Sequence, residues 1–233
     1  MRKQFSKIAF LAGVSLALAF TFGCAGSDDN NGGGGGGKGT FKDDRDGQIY
    51  GWVKIGSQVW MAKNLNYAAV GSKCGTDIDY YFIDGIGIYK LSDANTVICD
   101  TYGRLYNWPT ATAGVCPSGW HLPSRVEWDT LIVAVGGVST AGKHLKAKEG
   151  WEECGPSVSA YYYRYSCDDT YGFAALPGGV GYIGDKEYYI VDTGAWWDTN
   201  KGSYARYMSN RDESFNFAED LDGYYISVRC LKN

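Results

Sequence analysis

The strongest constraint on how this chain folds is the spread of six cysteines, Cys74, Cys99, Cys116, Cys154, Cys167 and Cys230, downstream of a glycine tract. An even set of this kind in an exported chain reads as a disulfide framework, and six cysteines allow 15 pairings. The preferred set is Cys74 with Cys99, Cys154 with Cys167, and Cys116 with Cys230. The first two pairs bracket polar excursions rich in Asp and Tyr, and the third joins the middle of the domain to its last strand. A zinc site is not favoured, because no two cysteines stand at CxxC spacing and His121 and His144 are the only imidazoles.

Export itself is read from the seventh cysteine. Arg2, Lys3 and Lys7 precede an uncharged, mostly apolar stretch of 15 residues, Ile8 to Phe22, which ends at Gly23-Cys24-Ala25. This is the layout of a bacterial lipoprotein leader, residues 1–23, with Cys24 as the lipidated first residue of the mature chain. As a helix the stretch would span roughly 22 Å, short of a hydrocarbon core about 30 Å thick, so a retained span is the weaker alternative. Thr21-Phe22-Gly23 departs from the usual motif, which has a Leu-like residue three positions before the cysteine, and simple secretion is the other alternative. The expected location is outside the cytoplasm, at the cell surface or in the periplasm, with the membrane as a partner through the lipid on Cys24.

Residues 24–40 read as a tether. Ser27 to Asn31 offer no apolar side chain, and Gly32 to Gly37 are six consecutive glycines. Loss of the leader's three cations moves the formal net charge from −4 to −7, which argues against a nucleic-acid partner. Residues 41–233, rich in Tyr and Trp, are long enough for one packed domain.

Within that domain, Gln48 to Lys54 and Gln58 to Met61 read as strands around a turn at Gly56-Ser57. Ser124 and Glu127 stand at capping-box spacing, Trp128, Leu131, Ile132 and Val135 follow helical periodicity, and Gly136-Gly137 supplies a stop. A second helical turn is expected around Lys143 to Lys148. Beyond Gly172 come short aromatic strands: Gly181 to Ile183, Glu187 to Val191, Ala195 to Asp198, Tyr204 to Ser209, Phe215 to Ala218 and Tyr224 to Leu231. One or two helices followed by short antiparallel strands indicate a single α+β domain, and no glycine-rich phosphate fingerprint is present.

Several ordered motifs then carry a resemblance. Asp46-Gly47-Gln48-Ile49-Tyr50, the run from Val53 to Tyr67, Tyr102-Gly103-Arg104-Leu105-Tyr106-Asn107-Trp108, Cys116 to Ser124, Tyr171 to Gly179 and Ser227-Val228-Arg229-Cys230 resemble the Fibrobacter succinogenes major paralogous domain. The resemblance covers about residues 43 to 233 and implies an exported or lipoprotein domain without a generally established activity. Leu122 to Trp128 is also similar to a helix start in formylglycine-generating enzymes, which implies a fold of that type or of the C-type-lectin type. The oxidase would need a pair of reactive cysteines, and only Cys230 lies in the corresponding region.

No catalytic constellation emerges. Glu127 is expected to cap its helix rather than act as an acid, and His121 to be a packed, hydrogen-bonded ring. His144 is expected at the surface. Glu152-Glu153 and Asp168-Asp169 are expected to be solvated loop acids rather than a glycosidase pair. Nothing completes a hydrolase triad around Ser118-Gly119. Calcium is the one cofactor worth weighing, from Trp197-Asp198-Thr199-Asn200 and Asp220-Leu221-Asp222-Gly223, although turn chemistry also explains both. Tyr161-Tyr162-Tyr163, Tyr188-Tyr189 and Trp196-Trp197 are candidates for exposed rings, if one ring of each group faces outward, although packing in a strand-rich core is the favoured reading for any one of them. The reading is a non-catalytic binding domain for a carbohydrate or cell-wall polymer. A structural or adhesion protein with a protein partner is the alternative, and an enzyme stands third.

Overall fold

The computed structural model describes residues 37–83, 86–92, 96–151, 166–183, 187–190 and 192–233. Cys24, the leader and most of the tether lie outside them. The chain runs through β1 (Lys38–Lys42), β2 (Ile49–Ile55), β3 (Gln58–Met61), β4 (Cys74–Ile83), β5 (Ile86–Ser92), α1 (Thr96–Tyr102), β6 (Leu105–Asn107), α2 (Trp108–Thr112), β7 (Trp120–His121), α3 (Arg125–Ala134) and α4 (Val138–Leu145). It continues with β8 (Val180–Ile183), β9 (Glu187–Ile190), β10 (Thr193–Trp197), β11 (Ala205–Ser209), β12 (Asn216–Ala218), β13 (Tyr224–Ser227) and β14 (Leu231–Lys232).

Two sheets organise these elements. The smaller has the order β1-β2-β3-β14-β7, and the larger follows β12-β11-β10-β13-β8-β9-β5-β4, with β6 also on β13. All pairings between these strands are antiparallel except β10 with β13, so the α+β class holds. The helices among the described residues number four rather than one or two, because α1 and α2 are short and carry little periodicity. The fold also begins earlier than residue 41: β1 starts at Lys38, inside the segment read as tether, and pairs along β2 from Val53 to Ile49.

The expected last strand, Tyr224 to Leu231, is broken in two. β13 belongs to the larger sheet and β14 to the smaller, and Val228-Arg229-Cys230 carries the chain between them. Its backbone is still paired: Leu65 N donates to Val228 O at 2.9 Å and Met61 N donates to Cys230 O at 3.1 Å. That pairing satisfies the Val228 and Cys230 carbonyls as the chain leaves one sheet for the other.

The helix expected from Ser124 is α3. Both halves of the capping box form: Glu127 N donates to Ser124 Oγ at 3.3 Å, and Ser124 N donates to Glu127 Oε2 at 2.8 Å. Trp128, Leu131, Ile132 and Val135 are buried, and Gly136 and Gly137 take positive φ. The second helix starts earlier than expected, at Val138, because Gly137 at φ +92° turns the chain straight into a new helix. β-branched Val138 and Thr140 masked that start, being weak helix formers. α4 lies against the 213–214 backbone, where a Cβ on Gly142 would stand 2.5 Å from Ser214 O.

Two apolar cores result. Trp60, Trp128, Phe173, Trp196 and Phe215 centre the first, with Trp60 and Trp128 ring centroids 4.5 Å apart. Tyr50, Tyr106, Trp120, Trp197 and Ile226 belong to the second. Trp196 and Trp197 do point to opposite faces of β10, but each face is a core, so neither ring is exposed. Tyr161 to Tyr163 lie outside the described residues, as do the side chains of Tyr188 and Tyr189.

Cys74–Cys99 and Cys116–Cys230 are disulfides, with Cα–Cα separations of 5.5 and 5.9 Å. Cys167 is also disulfide-bonded. Cys154, its expected partner, lies outside the described residues.

Candidate functional site

Beneath the surface features sits a buried cation. The Arg229 guanidinium, inaccessible to solvent, donates to Asn64 Oδ1 from Nε at 3.0 Å and from Nη2 at 2.6 Å, and also to Phe173 O. It lies 4.5 Å from the Phe173 ring centroid and 5.8 Å from that of Trp196. Burial pulls it down to about 9 while Asp169 pushes back, so it stays cationic at neutral pH. Asn64 Oδ1 also accepts from Trp196 Nε1 at 2.8 Å, and Asn64 Nδ2 donates to Tyr102 O at 2.8 Å. This polar centre ties the inter-sheet crossing to both sheets and exposes nothing to a ligand.

The chemistry-bearing residues of the sequence are mostly occupied in the same way. Ser124 Oγ donates to Glu127 Oε2 at 2.8 Å, and His121 Nε2 lies 2.9 Å from Glu127 Oε1. His121 Nδ1 lies 2.7 Å from Asn233 Oδ1. Burial raises the Glu127 carboxyl, but the Ser124 N–H, the Ser124 hydroxyl and His121 outweigh it, and the net shift is downward. The serine hydroxyl points at the carboxylate rather than the imidazole, so the trio is an extended helix cap and not a nucleophile with its base.

Asp168 and Asp169 diverge. Asp168 lies 3.8 Å from Lys143 Nζ and 4.0 Å from His144 Nδ1. Asp169, at φ +41°, turns inward and accepts from Ala174 N at 2.9 Å. His144 is half-buried rather than fully at the surface, 3.2 Å from Thr170 Oγ1. Glu152 and Glu153 lie outside the described residues.

Of the two segments weighed for calcium, the second is tied to Ser203, outside both: Ser203 Oγ donates to Asp222 Oδ1 and Leu221 N donates to Ser203 O at 3.3 Å. In the first, Asp198 is only 2% exposed and accepts from Asn200 N at 2.7 Å. Among the described residues no group of three or more His, Cys, Asp or Glu side chains is placed to hold a metal ion.

Among the described residues, a groove open to a ligand lies between the Arg45 turn, the 67–70 loop and α2 with the segment after it. It has a volume of about 480 Å³ and is lined by Arg45, Tyr67, Val70, Pro109, Thr110 and Val115, among others. One wall is fixed by α2, whose N-cap Asn107 accepts from Thr110 N at 3.0 Å and whose first turn carries Pro109. Arg45 forms the polar rim. Its guanidinium stacks 3.8 Å from the Tyr67 ring centroid, donates to Val115 O at 2.7 Å and pairs with buried Asp43 at 2.7 Å. Val70, 98% exposed, stands at the lip. The groove therefore combines an apolar lining of small side chains with a locked guanidinium, a phenol and a threonine hydroxyl. The residue types that usually move protons at neutral pH, carboxylates and imidazoles, are not among its lining. Sequence reasoning missed it because its walls come from distant segments whose residues carry no motif.

A sequence model of the Fibrobacter succinogenes major domain matches residues 53–232. The chain belongs to that family. Nearly all the groove and the Cys74–Cys99 and Cys116–Cys230 disulfides fall inside the match, while β1 and Arg45 precede it. No curated protein and no solved structure matches the chain. Among the described residues, no helix is long and apolar enough to cross a membrane.

Proposed function

We propose that this protein is an extracytoplasmic lipoprotein, held to the membrane through lipid on Cys24, whose domain binds a carbohydrate or cell-wall polymer without transforming it. The groove carries this reading: an open cleft with an apolar lining and a fixed guanidinium suits a sugar's apolar face and hydroxyl edge. The locked side chains support it further, since Arg45 is ordered by Asp43, Tyr67 and Val115 before any ligand arrives. A C-type-lectin-like or formylglycine-generating-enzyme-like architecture is part of the same proposal, supported by the capped α3 helix that starts at Ser124.

A glycan array probed with the mature chain, with and without calcium, tests it. Wild type should bind a small set of glycans, and Ala113→Trp, which fills the groove from an exposed position, should abolish that binding. Equal binding by the variant would remove the groove from the account.

Adhesion to a protein partner is the second reading. Val126, Val133 and Val138, exposed at 72%, 76% and 51%, favour it, because these valines on the outer side of α3 and at the start of α4 leave at least half of their surface to solvent.

A further inference from the structure

We infer that the edge of the larger sheet carries a second ligand site, built from Arg125, Phe217 and Tyr204, that takes a carboxylate-bearing sugar residue of an acidic polysaccharide. The inference rests on the carbohydrate reading above but uses a different surface. β12, which holds Phe217, is the last strand of its sheet, and Phe217 is 43% exposed there.

Arg125 opens α3 and lies over two rings, 4.5 Å from the Phe217 centroid and 5.9 Å from that of Tyr204. Its natural partner is Asp129, one helical turn on. Asp129 instead pairs with Arg206, which is buried on β11 and approaches Phe217 to 5.8 Å. Asp198, the other carboxylate near both arginines, is buried and engaged with Asn200 N. Arg125 is thus left with no hydrogen bond or ion pair among the described residues, while the rings hold its plane in place. Arg206 keeps a buried Nε without a hydrogen-bond partner, and its ion pair occupies Asp129.

A guanidinium fixed by stacking offers a planar fork of N–H donors, which matches a carboxylate in two parallel hydrogen bonds. The exposed Phe217 ring beside it offers the apolar surface that a pyranose C–H face seeks. A hexuronate supplies both features in one residue. An acidic peptide supplies the carboxylate alone.

The test is binding of soluble polygalacturonate to the full mature protein, beside its methyl ester and polyglutamate. Wild type should bind polygalacturonate and bind it more weakly as salt rises. Arg125→Gln should weaken binding roughly ten- to hundredfold. Arg125→Lys, which keeps the charge and loses the fork, should fall well below wild type. Unchanged thermal unfolding would show that both variants fold. The inference is overturned if polygalacturonate does not bind, if Arg125→Gln or Arg125→Lys binds like wild type, or if the ester or polyglutamate binds equally well. Ala113→Trp separates the two sites: it should leave polygalacturonate binding intact, and Arg125→Gln should leave any neutral glycan on the groove intact.

Discussion

Asn64 and Arg229, 165 positions apart in the chain, meet in the interior through two hydrogen bonds from the guanidinium to one amide oxygen, at 3.0 and 2.6 Å. The same oxygen accepts from Trp196 Nε1, so one atom satisfies three buried donors. Asn64→Ala should cost about 3 kcal/mol or more in urea unfolding, because it leaves a buried cation short of acceptors. Arg229→Met removes the charge that needs them, so the double variant should be less destabilised than the sum of the two singles. Simple additivity would show that the two side chains act independently.

The disulfides should differ in worth. Cys116–Cys230 closes a separation of 114 residues and Cys74–Cys99 one of 25. Loop-closure entropy assigns them about 4.8 and 3.5 kcal/mol. Paired Cys→Ser replacements should therefore lower stability more at the first bridge than at the second, as read from denaturant midpoints. The reverse order would mean that the crossing between sheets is held by Arg229 and its partners rather than by the cross-link.

The α3 cap gives a smaller effect. Ser124→Ala removes the acceptor for Glu127 N and one donor to Glu127 Oε2, and should cost about 1 kcal/mol. Glu127→Gln should leave glycan binding unchanged, as should His121→Ala. Loss of binding in either would move the site from the groove to this cap.

Lys146 makes stability depend on pH on the alkaline side. Its ammonium is buried, donates to Ser209 O and Asp212 O at 2.5 Å each, and lies 4.9 Å from the Trp151 ring centroid. Burial pulls it from 10.5 down to about 8, although Asp212 and Glu213 act to raise it. The folded state thus sheds this proton before the unfolded state does, and stability from this group rises with pH between about 8 and 10.5. The difference in unfolding free energy between wild type and Lys146→Met should grow across pH 8 to 10, by at most about 1.4 kcal/mol per unit. Tyr50, raised by burial to about 12, acts in the opposite sense only above its ordinary value of 10, outside that window. A flat difference would show that Lys146 titrates normally.

Local signals in the sequence led to the parts of the fold that depend on them. Ser124, Glu127 and the Trp128 to Val135 periodicity marked α3, the polar excursion between the two cysteines suggested Cys74–Cys99, and a link from the middle of the domain to its last strand suggested Cys116–Cys230. Features that depend on distant contacts were hidden. Core packing was the favoured reading for Trp196 and for Trp197, and both are buried, but alternation along a strand says nothing of the second core that lies behind the sheet. Tyr224 to Leu231 looked like one strand because nothing local marks Arg229 as the point where the chain changes sheets. The groove was invisible for a related reason: Val70, Pro109 and Thr110 are ordinary turn and helix-start residues until the fold sets them beside Arg45.

The central claim is that the groove between Tyr67 and Val115 binds a sugar and does nothing further to it. Titrating an oligosaccharide identified on the array into ¹⁵N-labelled mature protein, while assaying the same sample for new reducing ends, tests both halves together. The account predicts amide shifts confined to residues 45, 67–70 and 110–115 with the ligand recovered intact. Shifts centred instead on His121 and Glu127, or any release of reducing ends that grows with protein concentration, would contradict it.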